Sequence, residues 1–134
     1  MIPKVLLLVN FSEEYGRGLL NGIAKYSRLF GPFNFCRIPI VNGNKKELKS
    51  TISWAKTWGA NGIIAQIENE QVYEKLLQLN IPIIAQDTNE RFTDIPNITG
   101  LYKETGQLAA SYFTEKGFKE LYKIAQNVKF FNVF

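Results

Sequence analysis

Apolar residues fall along this chain in two alternating rhythms. Short, mostly apolar runs stand at 2–10 (IPKVLLLVN), 33–39 (FNFCRIP), 62–67 (GIIAQI) and 81–86 (IPIIAQ). Runs of this kind mark strands whose two faces are both covered. Between them the apolar positions recur at helical spacing. Tyr15, Leu19, Ile23, Tyr26 and Phe30 predict a helix from Ser12, its cap, to about residue 29, with that stripe against the sheet and Gly31-Pro32 as the stop. Asn42-Gly43-Asn44 predicts a turn, and Asn44 with Glu47 predicts a capping pair for a second helix. Its inward stripe is Leu48, Ile52 and Ala55, with Trp54 and Trp58 on a neighbouring face and Gly59 as its end. A third helix over 70–79 turns Val72, Leu76 and Leu79 inward. After a polar loop at 87–97, DTNERFTDIPN, a very short strand is expected at 98–100. A fourth helix follows over 103–116, with Leu108, Ala109, Tyr112 and Phe113 as its core face and Gly117 as its end. From residue 118 the chain is expected to begin another strand.

Strands alternating with helices predict an α/β fold: a three-layer, Rossmann-like sandwich around a parallel sheet with right-handed crossovers. At 134 residues the chain has the length of one domain of ordinary size, and no internal repeat or linker divides it. It holds no apolar run long enough to span a bilayer. The apolar start has neither a basic leader nor a small-residue cleavage site, which points to a cytoplasmic protein without a membrane partner.

Composition narrows the chemistry. There is no histidine, which removes Ser-His and Cys-His catalysis and the commonest zinc ligand. Cys36 is the sole cysteine and lies in an apolar run, as a small buried hydrophobe would. No tight acidic cluster suggests a metal site, so neither a catalytic set, a metal nor a cofactor is expected. The net charge of +4 is spread over several helix faces, with no helix-turn-helix or other nucleic-acid motif, so direct contact with nucleic acid is not expected from this segment.

In a parallel sheet, ligands bind beyond the carboxyl ends of the strands. Asn10, Phe11, Ser12, Glu13, Tyr15 and Arg17 follow the first strand there. They supply an amide, a hydroxyl, a carboxylate, a guanidinium and aromatic rings, a set suited to a polyol or sugar more than to a phosphate. The same loop, NFSEEYGRG, lacks the spacing of a dinucleotide fold, and no phosphate-binding P-loop or flavodoxin-like phosphate loop is present. Acidic residues of a phospho-acceptor receiver domain are missing too.

An ordered series of short motifs goes further. It comprises Val9-Asn10, Tyr15, Arg17 and Gly22-Ile23; Trp54 and Trp58 before 62–65 (GIIA); Ile81-Pro82-Ile83 with Asp87 beyond; and Gly106, Ala109, Ala110 and Lys116-Gly117-Phe118. Through these the chain resembles the amino-terminal lobe of the sugar-sensing transcription regulators related to the lac repressor, whose effector domains share the fold of periplasmic sugar-binding proteins. Within that group it is most similar to the xylose operon regulators, which join such a lobe pair to an AraC-type DNA-binding domain. The similarity spans about residues 4–119, and the end of the chain, KFFNVF, does not resemble the family. Leu101-Tyr102 stand where many members carry Asp-Asn. The resemblance implies a single lobe over 1–134, with the second lobe and the DNA-binding domain absent. It implies xylose or a related pentose as effector and Asn10, Tyr15, Arg17 and Asp87 as lining for this lobe's half of an interlobe cleft. Apolar surface left by a missing lobe offers a way for two chains to pair as a homodimer.

Each residue also has a plain structural role to weigh. Asn10 either holds a sugar hydroxyl or satisfies loop backbone. Tyr15 either packs in the core or stacks on a ring. Arg17 either clamps a ligand or partners Glu13 or Glu14. Asp87 either binds ligand or opens a turn. Outside the regulators, the alternatives are a fragment of a sugar-binding transport protein and a flavodoxin-like or nucleotide-dependent α/β enzyme.

Overall fold

The computed structural model describes residues 1–39, 44–86 and 92–119. Its elements run β1 (Lys4–Leu8), α1 (Glu14–Phe30), β2 (Asn34–Arg37), α2 (Lys45–Trp58), β3 (Gly62–Ala65), α3 (Glu70–Leu77), β4 (Ile83–Gln86), β5 (Asn97–Ile98) and α4 (Tyr102–Glu115). The five strands form one parallel sheet in the order β2-β1-β3-β4-β5. The α/β fold with a parallel sheet is therefore the one the alternation predicts. The strand and turn expected within 120–134 and 40–43 lie outside the described residues.

The chain divides into two compact units, Met1–Ile98 with the sheet and α1 to α3, and Thr99–Phe134 with α4. In the first, the core gathers on one face of the sheet. Leu6 and Leu8 of β1, Ile63 and Ala65 of β3, and Ile83 and Ala85 of β4 meet Leu48, Ile52 and Ala55 of α2 and Val72, Tyr73 and Leu76 of α3. Alternation puts Leu7, Val9, Ile64, Ile84 and Gln86 on the opposite face. The strand order reverses direction after β2, so right-handed crossovers place α1 on that face and α2 and α3 on the core face.

Asn44 and Gly59 bound α2 as predicted, and α3 has an asparagine cap of its own. Asn44 caps α2 by accepting from Lys46 N at 3.0 Å, and Gly59 closes it in the left-handed conformation (φ 75°), donating to Ala55 O and Lys56 O at 3.1 Å. Asn69 caps α3, accepting from Val72 N at 2.9 Å.

Two helices present different faces from those their apolar residues predict. In α1, Tyr15, Tyr26 and Phe30 are exposed, and the covered side is Gly16, Leu19, Leu20, Ile23, Ala24 and Ser27. The cause is Gly16. A Cβ there would run into the carbonyl of Asn10, so α1 meets the end of β1 through a glycine, and Tyr15, about 100° around the helix, turns away. In α4, Leu108, Ala109 and Tyr112 are exposed, and of the expected face only Phe113 is partly covered. Tyr102, Gly106, Ala110 and Phe113, spaced four, four and three apart, form the less exposed side. Gly117 ends α4 with φ 87°, and Phe118 N donates to Phe113 O at 3.0 Å.

Candidate ligand crevice at the carboxyl edge of the sheet

A parallel sheet in the order 2-1-3-4-5 has its switch point between β1 and β3. Chain leaving β1 passes to one face and chain leaving β3 to the other, so a crevice opens between their carboxyl ends. The segment after β1 carries Asn10 to Glu13. The segment after β3 carries Gln66, Glu68 and Asn69. Gln86 ends the neighbouring β4.

The first segment is a tightly bonded turn. Asn10 Oδ1 accepts from Ser12 N at 3.0 Å and from Ser12 Oγ at 2.6 Å, and Asn10 Nδ2 donates to Glu13 Oε1 at 3.2 Å. Arg17 reaches back from the first turn of α1 and donates from Nη1 to Ser12 O at 2.8 Å. Ser12 therefore does not cap α1. Its side chain is held by Asn10, and Glu13 stands at the N-cap without a side-chain bond. The turn closes because Gly16 admits the Asn10 carbonyl against the helix.

Asn10 and Arg17 thus meet on Ser12 from opposite sides. Asn10 spends its amide on the turn. Arg17 uses one of five N–H donors and stays exposed, and Glu13 on the same turn is exposed as well. An exposed guanidinium and carboxylate on a fixed turn can each bridge two neighbouring hydroxyls. Tyr15 does not join them: two residues from Arg17 along α1, it lies on another side of the helix. Asp87 lies outside the described residues.

Two residues that motif reasoning passed over belong to this edge. Arg37, at the end of β2, sits with its guanidinium carbon 5.5 Å from the centre of the Phe11 ring and so covers the outer flank of the turn. Register places it beside Leu7. Gln86 is 2% exposed, and its Oε1 has no hydrogen-bond partner among the described residues. A polar residue at the carboxyl end of an otherwise apolar strand was the available signal. Among the described residues, no three His, Cys, Asp or Glu side chains come together as metal ligands would.

Comparison with solved structures places this architecture. No protein-family model matches the chain, and no curated protein matches it. The transcription regulator CcpA of Lactococcus lactis superposes with a TM-score of 0.70 at 11% identity, over 87% of this chain and 44% of that one. This is one lobe of the type I periplasmic-binding-protein fold. A periplasmic binding protein/LacI transcriptional regulator from Alkaliphilus metalliredigens, complexed with D-xylulofuranose, matches the lobe with a TM-score of 0.63 at 19% identity, over 87% of this chain and 42% of that one. A periplasmic solute-binding protein of an ABC transporter from Actinobacillus succinogenes, with bound D-allose, matches it at 0.63 and 16% identity, over 87% and 44%. The chain spans less than half the length of these proteins. The fold is thus common to regulators and to sugar-binding transport proteins.

Proposed function

We propose that this chain is the sugar-binding half-site of a transcription regulator, with xylose or a related pentose as effector, and that it binds rather than transforms its ligand. The observation that carries this reading is the turn at the β1–β3 switch point, where Arg17 and Glu13 are held exposed on a backbone locked by Asn10 and Gly16. Such a turn offers fixed donors and acceptors for vicinal hydroxyls, while the chain's lack of histidine and of a phosphate loop leaves little for catalysis to use. Asp87, next in the chain after Gln86, is the further acceptor assigned to the sugar. Asn10 contributes by holding the turn and Arg17 by direct contact. The second lobe and a DNA-binding domain belong to this reading as partners that respond to the sugar. A solute-binding role in transport is the second reading, supported by the fold's likeness to the D-allose-bound protein.

Saturation-transfer NMR with D-xylose, D-ribose and D-allose tests the sugar assignment. Transfer to a pentose is expected, and it should weaken about tenfold or more in Arg17→Ala and in Asp87→Ala, the loss of one charge-assisted bidentate contact. No transfer from any of the sugars, or equal transfer in both variants, overturns it.

A further inference from the structure

The carboxyl edge of the sheet carries a second guanidinium. Arg37 ends β2, and a bond from Ile38 N to Leu7 O at 3.0 Å holds that end against β1. Register sets Arg37 beside Leu7, so its side chain leaves the sheet on the face that α1 covers. There its guanidinium carbon lies 5.5 Å from the centre of the Phe11 ring. Arg17 reaches the same turn from α1 and donates to Ser12 O at 2.8 Å. The two guanidinium groups are thus anchored on consecutive residues, whose Cα atoms are about 3.8 Å apart.

Neither charge is neutralised at this edge. Both arginines are exposed, and neither has an ion-pair partner among the described residues. Glu13, an acid of the same turn, accepts from Asn10 Nδ2 at 3.2 Å instead. A cation over a ring is held by the ring's quadrupole and not by a hydrogen bond, so the N–H donors of Arg37 stay unspent. Arg37 therefore brings a fork of donors to the flank of the hydroxyl contacts assigned to Arg17 and Glu13. A planar fork matches a carboxylate through two parallel hydrogen bonds. A phosphate fits this edge less well. Phosphate sites draw on free backbone N–H groups at a helix start. Here Ser12 N is committed to Asn10 Oδ1 at 3.0 Å, and Glu13 and Glu14 put two acidic residues at the start of α1.

We propose that Arg37 is a specificity-determining residue that takes a carboxylate on the ligand, so that among pentose derivatives the acidic one, a pentonate, is preferred over the neutral sugar. This rests on the sugar reading of the turn: Arg17 and Glu13 keep the hydroxyls, and Arg37, on the outer flank, takes the acid.

Chemical-shift titration of the full chain by NMR tests it, with D-xylose, sodium D-xylonate and D-xylose 5-phosphate in the same buffer and salt. Xylonate should bind at least about tenfold more tightly than xylose, the gain of one charge-assisted bidentate contact, and more tightly than the phosphate. Arg37→Gln should bring xylonate and xylose to within about threefold of each other. Lys56→Gln removes the same charge from the exposed side of α2 and should keep the tenfold gap, which separates a local contact from the overall charge of the chain. Equal affinity for xylonate and xylose in the unaltered chain overturns the inference and leaves the sugar reading standing. So does a preference for the phosphate, or a xylonate preference that Arg37→Gln does not change or that Lys56→Gln also removes. Binding of none of the three overturns both.

Discussion

Gly16 shows how one missing atom positions a site. Alanine in a helix is normally worth about 1 kcal/mol over glycine. At position 16 its Cβ would overlap the backbone carbonyl of Asn10, which is fixed by β1 on one side and by the Asn10–Ser12 bonds on the other. Gly16→Ala is therefore expected to destabilise the chain by about 1–3 kcal/mol despite its helix propensity, read as a lower midpoint in urea. Tyr73 presents the opposite case. Its ring is buried and stacks on Phe92 at 4.3 Å between centres, while its hydroxyl has no hydrogen-bond partner among the described residues. A buried hydroxyl without a partner forfeits its hydration for nothing. Tyr73→Phe should leave stability unchanged or raise it by up to about 1 kcal/mol, and a clear loss in a denaturation curve would show that the hydroxyl has a partner after all.

At the scale of elements, the described end of the 87–97 loop is held by β5 itself. Asn97 Oδ1 accepts from Phe92 N at 3.3 Å, and Nδ2 donates to Phe92 O and Ile95 O, both at 2.7 Å. Those bonds fold 92–97 back on itself, so that Phe92 and Ile95 pack against the core cluster. Removing the amide strands two carbonyls and one N–H that are part-buried. Asn97→Ala is expected to cost about 1–3 kcal/mol and to reduce the near-ultraviolet dichroism of the Tyr73–Phe92 stack. Asn69, by contrast, supplies a single cap bond to α3. Asn69→Ala should cost about 1 kcal/mol without that optical change.

For the whole molecule, the proposed function makes the carboxyl ends of β1 and β3 one wall of a ligand site. In the proposed reading the opposite wall comes from a second lobe, so this chain supplies only part of the contacts that hold a sugar. Pentose affinity measured by calorimetry on the chain alone should accordingly be about millimolar or weaker, and tight one-to-one binding would argue against a two-walled site.

Periodicity, capping residues and the apolar runs were enough to determine the alternation of strands and helices, the parallel sheet, the stripes of α2 and α3, and the edge on which polar side chains collect. These are local properties: a strand covered on both faces needs apolar residues at every position, and Asn44 and Gly59 act on atoms a few residues away. Which side of α1 and α4 is covered was not legible, because apolar spacing in α1 fits two faces about 100° apart and only contact with the Asn10 carbonyl, through Gly16, selects one. Nor was the division of labour at the turn legible. That Asn10 is consumed by Ser12 and that Arg17 keeps most of its donors follow from the close approach of α1 to the end of β1 at Gly16; that Arg37 and Gln86 arrive at the same edge follows from strand register and order. Those bring together residues far apart in the chain, and local patterning carries no information about such distances.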